Sequence, residues 1–297
     1  MRTTPVLTLA ATLLAATVAA QPHGLKVFVS VDMEGISGVV DAEQTRDDSR
    51  EYAAARRWMA EDVNAVINGL LQAGAGEIVV NDSHGSMRNL SPDDLRPEAV
   101  LISGSPKPLA MMAGLDGSFD AAVLVGYHAA AGTATAILDH TISSSTIARI
   151  TVNDVEMPEL GLNALLAGAF DVPVIMLSGD AATCRQAEAL LGTGLVTVAV
   201  KEALGRSAAR LVPMREARTL LEDGARTALR QKDRIQPFRL KAPYRFAVSF
   251  QSSAKAEPGE WLPGVTRIDG RTLSFTADDA VEGFKLLRAL IVLGATR

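Results

Sequence analysis

The sequence predicts an α/β fold: a mainly parallel sheet flanked by helices, with a smaller C-terminal α+β domain. Two observations carry this. Short runs of Val, Ile and Leu recur between Leu25 and Val200, and segments with helical spacing of apolar residues separate them; that alternation is the mark of βαβ units, with helices on both faces of the sheet. After about Arg206 the pattern changes to a charged helix followed by strands close together in sequence. A length of 297 residues suits two domains, and 48% hydrophobic with 21% charged residues is enough apolar material for a sizeable core.

Residues 1–20, MRTTPVLTLAATLLAATVAA, carry one charge, Arg2, then an apolar stretch and small residues before Gln21. This is the layout of a secretory signal peptide and is short for a membrane span. The expected mature protein is therefore exported, periplasmic or extracellular, and free of the membrane. His23 falls beside the cleavage point and is assigned no role. The first strand, Leu25–Val31, runs into Asp32 and Glu34. A polar, acidic loop, Asp41–Arg50, precedes a helix from about Tyr52 to Ala73. Its apolar positions Met59, Val63, Val66, Ile67, Leu70 and Leu71 keep helical spacing, and Gly74 follows as a C′ residue. Strand Glu77–Val80 leads to His84. Val100–Ile102 reads as a strand, Pro108–Ala113 as a short helix, and Ala121–Val125 as a strand delivering His128.

Ile147–Val152 and Val155–Met157 flank Asn153-Asp154, a two-residue hairpin signal. Pro158 then opens a helix with Glu159 in its first turn. Strands Val172–Leu177 and Leu195–Val200 bracket a helix around Ala182–Leu191. A charged helix, Met214–Arg230, precedes strand Tyr244–Phe250, a loop around Trp261, strand Leu273–Thr276 and a final helix, Asp278–Leu293. The expected organisation is signal peptide 1–20, a metal-binding α/β catalytic domain 21–205 and a smaller α+β domain 206–297.

The net charge of −5 and the lack of any basic cluster with interleaved aromatics argue against a nucleic-acid partner. The one cysteine, Cys184, has no internal disulfide partner and reads as core.

Four histidines occur in the chain, and three of them, His84, His128 and His140, share the neighbourhood of strand ends with Asp32 and Glu34. In open α/β sheets ligands bind at the carboxyl ends of the strands. On a strand, residues i and i+2 face the same side, so Asp32 and Glu34 are expected to converge, and two adjacent acids need a proton or a cation between them. Glu159 is the further acid chosen as a ligand; the bland alternative is a glutamate favouring the positive end of its helix. Carboxylate with imidazole suits zinc best, with manganese, cobalt or iron also admissible. Asp32, Glu34, His84, His128 and Glu159 are too many ligands for one catalytic zinc but suffice for two ions if Asp32 bridges. Such a pair, roughly 3.5–4 Å apart with a bridging hydroxide, provides a nucleophile near neutral pH and polarises a carbonyl. His140 is then left for proton transfer or oxyanion stabilisation.

SVDMEG (Ser30–Gly35), NDSHG (Asn81–Gly85), LISG (Leu101–Gly104), AGLD (Ala113–Asp116), GYHA (Gly126–Ala129) and ELGLNA (Glu159–Ala164) together resemble the dinuclear-zinc D-aminopeptidase family associated with dipeptide-transport operons. The resemblance spans most of Leu25–Val200. It implies two zinc ions per chain on Asp32, Glu34, His84, His128 and Glu159, with Asp32 shared. It also implies a catalytic His140, described for the family as the nucleophile; acid/base or oxyanion work suits it better, because a metal hydroxide is the stronger nucleophile. The resemblance further implies a homo-oligomer, a ten-subunit ring enclosing its active sites, that removes an N-terminal D-residue from short peptides. The family's usual role is intracellular, in contrast to the signal peptide here, and Ala129–Ile137, before His140, is the stretch that matches it least. Two other classes use the same ligand set: an exported metal-dependent phosphoesterase, and a non-catalytic metal- or peptide-binding protein. A phosphate site would add cations, for which Arg88, Lys107 and Arg149 are the candidates, all expected at the surface.

Overall fold

The computed structural model describes residues 24–296. The expected signal peptide and His23 lie outside them.

Among the described residues, twelve strands form two sheets. The larger is built around β1 (Leu25–Val31), which pairs in parallel with β2 (Ala75–Asp82) on one side and β4 (Ala121–Tyr127) on the other. β3 (Ala99–Ile102) extends it beyond β2; β7 (Val174–Asp180), β8 (Val196–Gly205) and β9 (Ala208–Leu211) extend it beyond β4, β9 alone running antiparallel. The chain thus winds outward from β1 in one direction, then returns to the other side at β4. The crevice between the carboxyl ends of β1 and β4 is the topological switch point, where α/β sheets take their ligands.

Strand β1 is apolar because both its faces are covered. Val27, Val29 and Val31 pack against α1 (Tyr52–Gln72) and, with it, α4 (Met214–Arg230), through Met59, Val63, Ile67, Leu221 and Ala225. Phe28 points the other way, into a core shared with α2 (Glu159–Ala169), α3 (Ala181–Leu191) and the smaller sheet. Cys184 is buried there.

The smaller sheet is antiparallel, in the order β11 (Thr266–Arg267), β12 (Thr272–Ala277), β10 (Tyr244–Phe250), β5 (Ile147–Val152) and β6 (Val155–Glu156). Phe246 and Phe275 stack at 4.8 Å between centroids. A short α5 (Ser253–Ala256) and the long α6 (Ala280–Ala295) close its flank. Asn153 and Asp154 have φ of 52° and 67° between the paired Val152 and Val155, so the hairpin turn is of the mirror-image kind that strand twist favours.

The sheets divide the chain differently from the expected boundary at 205/206, which falls in the β8–β9 turn inside the larger sheet. Helix α4, placed by sequence in the C-terminal unit, packs on α1. The β5–β6 hairpin, placed in the first unit, pairs with β10. Neither assignment has a local signature, because partners are chosen over roughly a hundred residues. The expected helix Pro108–Ala113 is only a 3-10 turn, Ala110–Met112. Strand β9 is an exposed edge without alternating pattern, and the Trp261 loop holds α5, a 3-10 turn and β11, none of them anticipated.

Candidate metal centre

Asp32 follows β1 directly, His84 follows β2, and His128 follows β4. Glu159 opens α2 behind the N-cap Pro158, and its side chain is buried, not exposed like that of an ordinary first-turn glutamate. His140 lies in the loop between β4 and β5. All six candidate residues come together at the switch point.

Two glycines permit this closeness. The Gly35 amide donates to Gly126 O at 2.8 Å, and a Cβ on Gly35 would lie 2.0 Å from Tyr127 O. Gly126, at φ +72°, breaks the β4–β7 register, and a Cβ there would meet Asp32 O at 2.2 Å. Glu34 therefore reaches the centre from a tight turn, beyond the end of β1 at Val31, and not through strand alternation.

The centre has two halves joined by Asp32. Its Oδ1 lies 3.2 Å from His84 Nδ1, and its Oδ2 lies 3.4 Å from His128 Nε2. Glu34 Oε2 is 3.0 Å from the same His84 nitrogen, and Glu159 Oε1 is 3.2 Å from the same His128 nitrogen. His140 Nε2 stands further off, 3.7 Å from Glu159 Oε1 and 4.0 Å from Glu34 Oε1, its ring stacked on His128 with centroids 3.9 Å apart.

Each imidazole is oriented by a backbone carbonyl on its far side. His84 Nε2 donates to Thr45 O at 2.9 Å, His128 Nδ1 to Ala129 O at 3.1 Å, and His140 Nδ1 to Leu138 O at 2.9 Å. With those protons so placed, the lone pairs of His84 Nδ1, His128 Nε2 and His140 Nε2 face the carboxylates. Lone pair against carboxylate is repulsive unless something positive lies between. His128 Nε2 is buried and, among the described residues, faces only carboxylate oxygens without making a hydrogen bond of good geometry.

Electrostatics make the same demand. Burial pushes the Asp32 carboxyl up to about 7, with Glu34 adding to the rise. Burial also disfavours charge on Glu34 and Glu159, but His84 and His128 respectively outweigh it and hold both low. Burial works against the imidazolium of His84, yet Glu34 and Asp32 lift it well above the ordinary value; against the same burial, Glu159 and Asp32 lift His128 to about 10. The centre therefore binds protons where no other cation is available, and the donor set of carboxylates and imidazoles fits a divalent metal in their place. His140 is the exception: burial and the neighbouring His128 lower its pKa, so it stays neutral. The donor atoms of His128, His140 and Glu159 nevertheless cluster, as do those of Asp32, Glu34 and His128.

Several supporting groups have no local signal in sequence. Lys201 of β8, fully buried, donates to Glu34 O, Ile36 O and Val39 O at 2.6, 2.9 and 2.5 Å. Burial pulls its amine down to about 7, but three carbonyl acceptors require the three N–H bonds of the ammonium form. Asp62 of α1 accepts from Ser37 N at 2.8 Å, so two buried side chains clamp the turn that carries Glu34. Asp82 accepts from Asn89 N and Leu90 N, and Asn89 Nδ2 donates to His84 O at 2.7 Å, shaping the His84 loop. Lys107, expected at the surface, is half-buried and bonded to Asn81 and Asp82 O. Arg88 is exposed, and Arg149 pairs with Glu156 on the surface. The three cations weighed for a phosphate site thus do not converge on the centre.

A family model described as D-aminopeptidase matches residues 25–289. A D-aminopeptidase of Bacillus subtilis (strain 168) is 37% identical over 272 residues, 91% of this chain and 97% of that protein. The solved structure of the Zn-dependent D-aminopeptidase DppA from Bacillus subtilis, described as a self-compartmentalizing protease, superposes with a TM-score of 0.89 at 35% identity, covering 92% of this chain and 99% of the other.

Proposed function

The chain belongs to the D-aminopeptidase family, and from that membership we propose that it is a zinc-dependent aminopeptidase removing an N-terminal D-residue from short peptides. The observation that carries the reading is Asp32, whose two oxygens each face a histidine lone pair, one in each half of a buried acidic centre. On this reading Asp32, Glu34 and His84 hold one zinc, and Asp32, His128 and Glu159 hold the second. Zinc bound there supplies Lewis-acid polarisation of the scissile carbonyl and a hydrolytic nucleophile at neutral pH.

The chain's own residues supply the rest. Glu34 and Glu159 are ionised and buried, which suits the recognition of a free α-ammonium group. His140, neutral and oriented by Leu138 O, carries an Nε2 lone pair that takes a proton and returns it to the departing amine. With amine and carbonyl fixed, exchanging hydrogen and side chain on the α-carbon drives the other enantiomer into the wall, and each ~1.4 kcal/mol of clash is tenfold in rate.

The assembly is taken to be a homo-oligomer by analogy with the self-compartmentalizing relative, and the ten-subunit ring is the form that the family resemblance implies. Export is supported by residues 1–20 alone; a mature chain beginning near Gln21 in the periplasmic or extracellular fraction of the host checks it. The reading as a whole is tested on purified protein by zinc analysis with assays on D- and L-alanyl peptides, their N-acetyl forms and a phosphate ester. Two zinc ions per chain, D over L by about tenfold or more, and no cleavage of blocked peptides are expected. Saturation at one ion removes the bridged pair, and equal rates on both enantiomers remove D-specificity.

A further inference from the structure

A cavity of about 120 Å³ opens beside Glu159 and is lined by Ile142, Leu162, Asn163, Phe284 and Arg288 among others. Phe284 and Arg288 stand at i and i+4 on α6, so the smaller sheet's helix supplies one wall of a cavity that begins at the metal centre. Arg288 is half-buried and makes no hydrogen bond or ion pair among the described residues. Glu159, the acid of the same cavity, is already engaged by His128 Nε2 and by the amide of Ile142, which donates to its Oε1 at 2.5 Å. Desolvation of Arg288 lowers its pKa, and Glu159 partly restores it. A half-buried guanidinium without a partner, in a cavity whose one acid is already engaged, is a costly arrangement whose natural complement is a planar carboxylate, bound through two parallel N–H bonds.

We propose that Arg288 receives the C-terminal carboxylate of the substrate, which makes the enzyme selective for dipeptides ending in a small residue. This rests on the aminopeptidase reading of the adjoining centre. In a dipeptide the free carboxylate lies one residue beyond the scissile carbonyl, roughly 3.3–3.8 Å further along the chain. In a longer peptide a neutral amide occupies that place and leaves the guanidinium unpaired. The cavity is smaller than the ~150 Å³ that accommodates benzene, so its occupant has about five or six heavy atoms. Glycine and alanine with their carboxylates are that size.

The test compares D-Ala-Gly with D-Ala-Gly-amide on zinc-loaded wild type, Arg288→Gln and Arg288→Lys. Wild type should favour the acid by about ten- to hundredfold in kcat/KM, chiefly through KM, the range of a charge-assisted hydrogen-bonded pair. Arg288→Gln should lose that factor on the acid and change the amide less than about threefold, while Arg288→Lys keeps part of the preference. A wild-type ratio near one, or equal losses on both peptides in Arg288→Gln, overturns the proposal. Calorimetric titration of the same peptides keeps the two readings separable. If neither peptide is cleaved, the aminopeptidase reading fails; acid-over-amide binding that disappears in Arg288→Gln still upholds the carboxylate site, and indifferent binding removes it.

Discussion

Past the carboxyl ends of β1, β2 and β4, the larger sheet brings together three carboxylates and three imidazoles, with Asp32 only 3% exposed. The smaller sheet buries Phe246, Val248, Phe250, Leu273 and Phe275, and among the described residues its strands bury no charged side chain. Its charges, such as Arg245 with Asp154 and Arg149 with Glu156, lie at the surface. One region is held by dispersion and exclusion of water, the other carries mutually repelling groups that need cations. A site of this kind costs stability locally and relies on well-packed elements around it.

Substitutions should separate the two regions cleanly. The largest effect is expected at Asp32: Asp32→Ala should lose both zinc ions by metal analysis and fall to background turnover, while His84→Ala or His128→Ala weakens mainly one ion. His140→Ala should fold and keep its zinc but lose about 10²–10⁴-fold in kcat, the range of a general acid or base; zinc lost along with activity would reassign His140 as a ligand. Phe246→Ala should reverse the pattern, costing about 3–5 kcal/mol in denaturant unfolding while the folded fraction turns over normally. A selective fall in kcat there would mean that the smaller sheet shapes the centre more directly than its packing suggests.

The pH dependence of stability sharpens the same contrast. In metal-free protein the folded-state pKa of Asp32 is raised to about 7 and that of His128 to about 10. Both groups hold protons more tightly folded than unfolded, so their contribution is lost as pH rises, through about 7 for Asp32 and about 10 for His128. Glu34 and Glu159 are depressed and matter only on the acid side of the ordinary carboxylate range. Zinc binding requires those same groups deprotonated, so zinc-loaded protein should gain stability with pH where metal-free protein loses it. Thermal melts with and without chelator between pH 6.5 and 8 read the two slopes, and parallel slopes would contradict a cation-requiring centre. The smallest effect belongs to the exposed pair: Arg245→Ala should cost about 0.2–1 kcal/mol and leave both metal content and rate unchanged.

Five residues of the centre were legible because they stand in strong local patterns: SVDMEG, NDSHG and GYHA end apolar strands, and ELGLNA opens a helix behind a proline, whereas His140 lies in a long loop with no such pattern. Glu34 reaches the centre by a route other than the one expected, since a turn closed by Gly35 and Gly126 brings it in, not strand alternation. Thr45 O, which orients His84, gave no sign, because a backbone carbonyl is contributed whatever the side chain.

Alone, then, the sequence determined the β-α alternation, the hairpin at Asn153-Asp154 and the strand ends on which acids and histidines stand, all encoded within a few residues by periodicity and turn chemistry. Only the tertiary structure decided that β5 and β6 join the far sheet, that α4 covers α1, that Lys201 clamps the Glu34 turn, and that Arg288 closes a cavity beside Glu159. These are pairings over roughly a hundred residues or more, chosen by which buried faces fit and which polar atoms remain to be satisfied. No local stretch of sequence records such a choice.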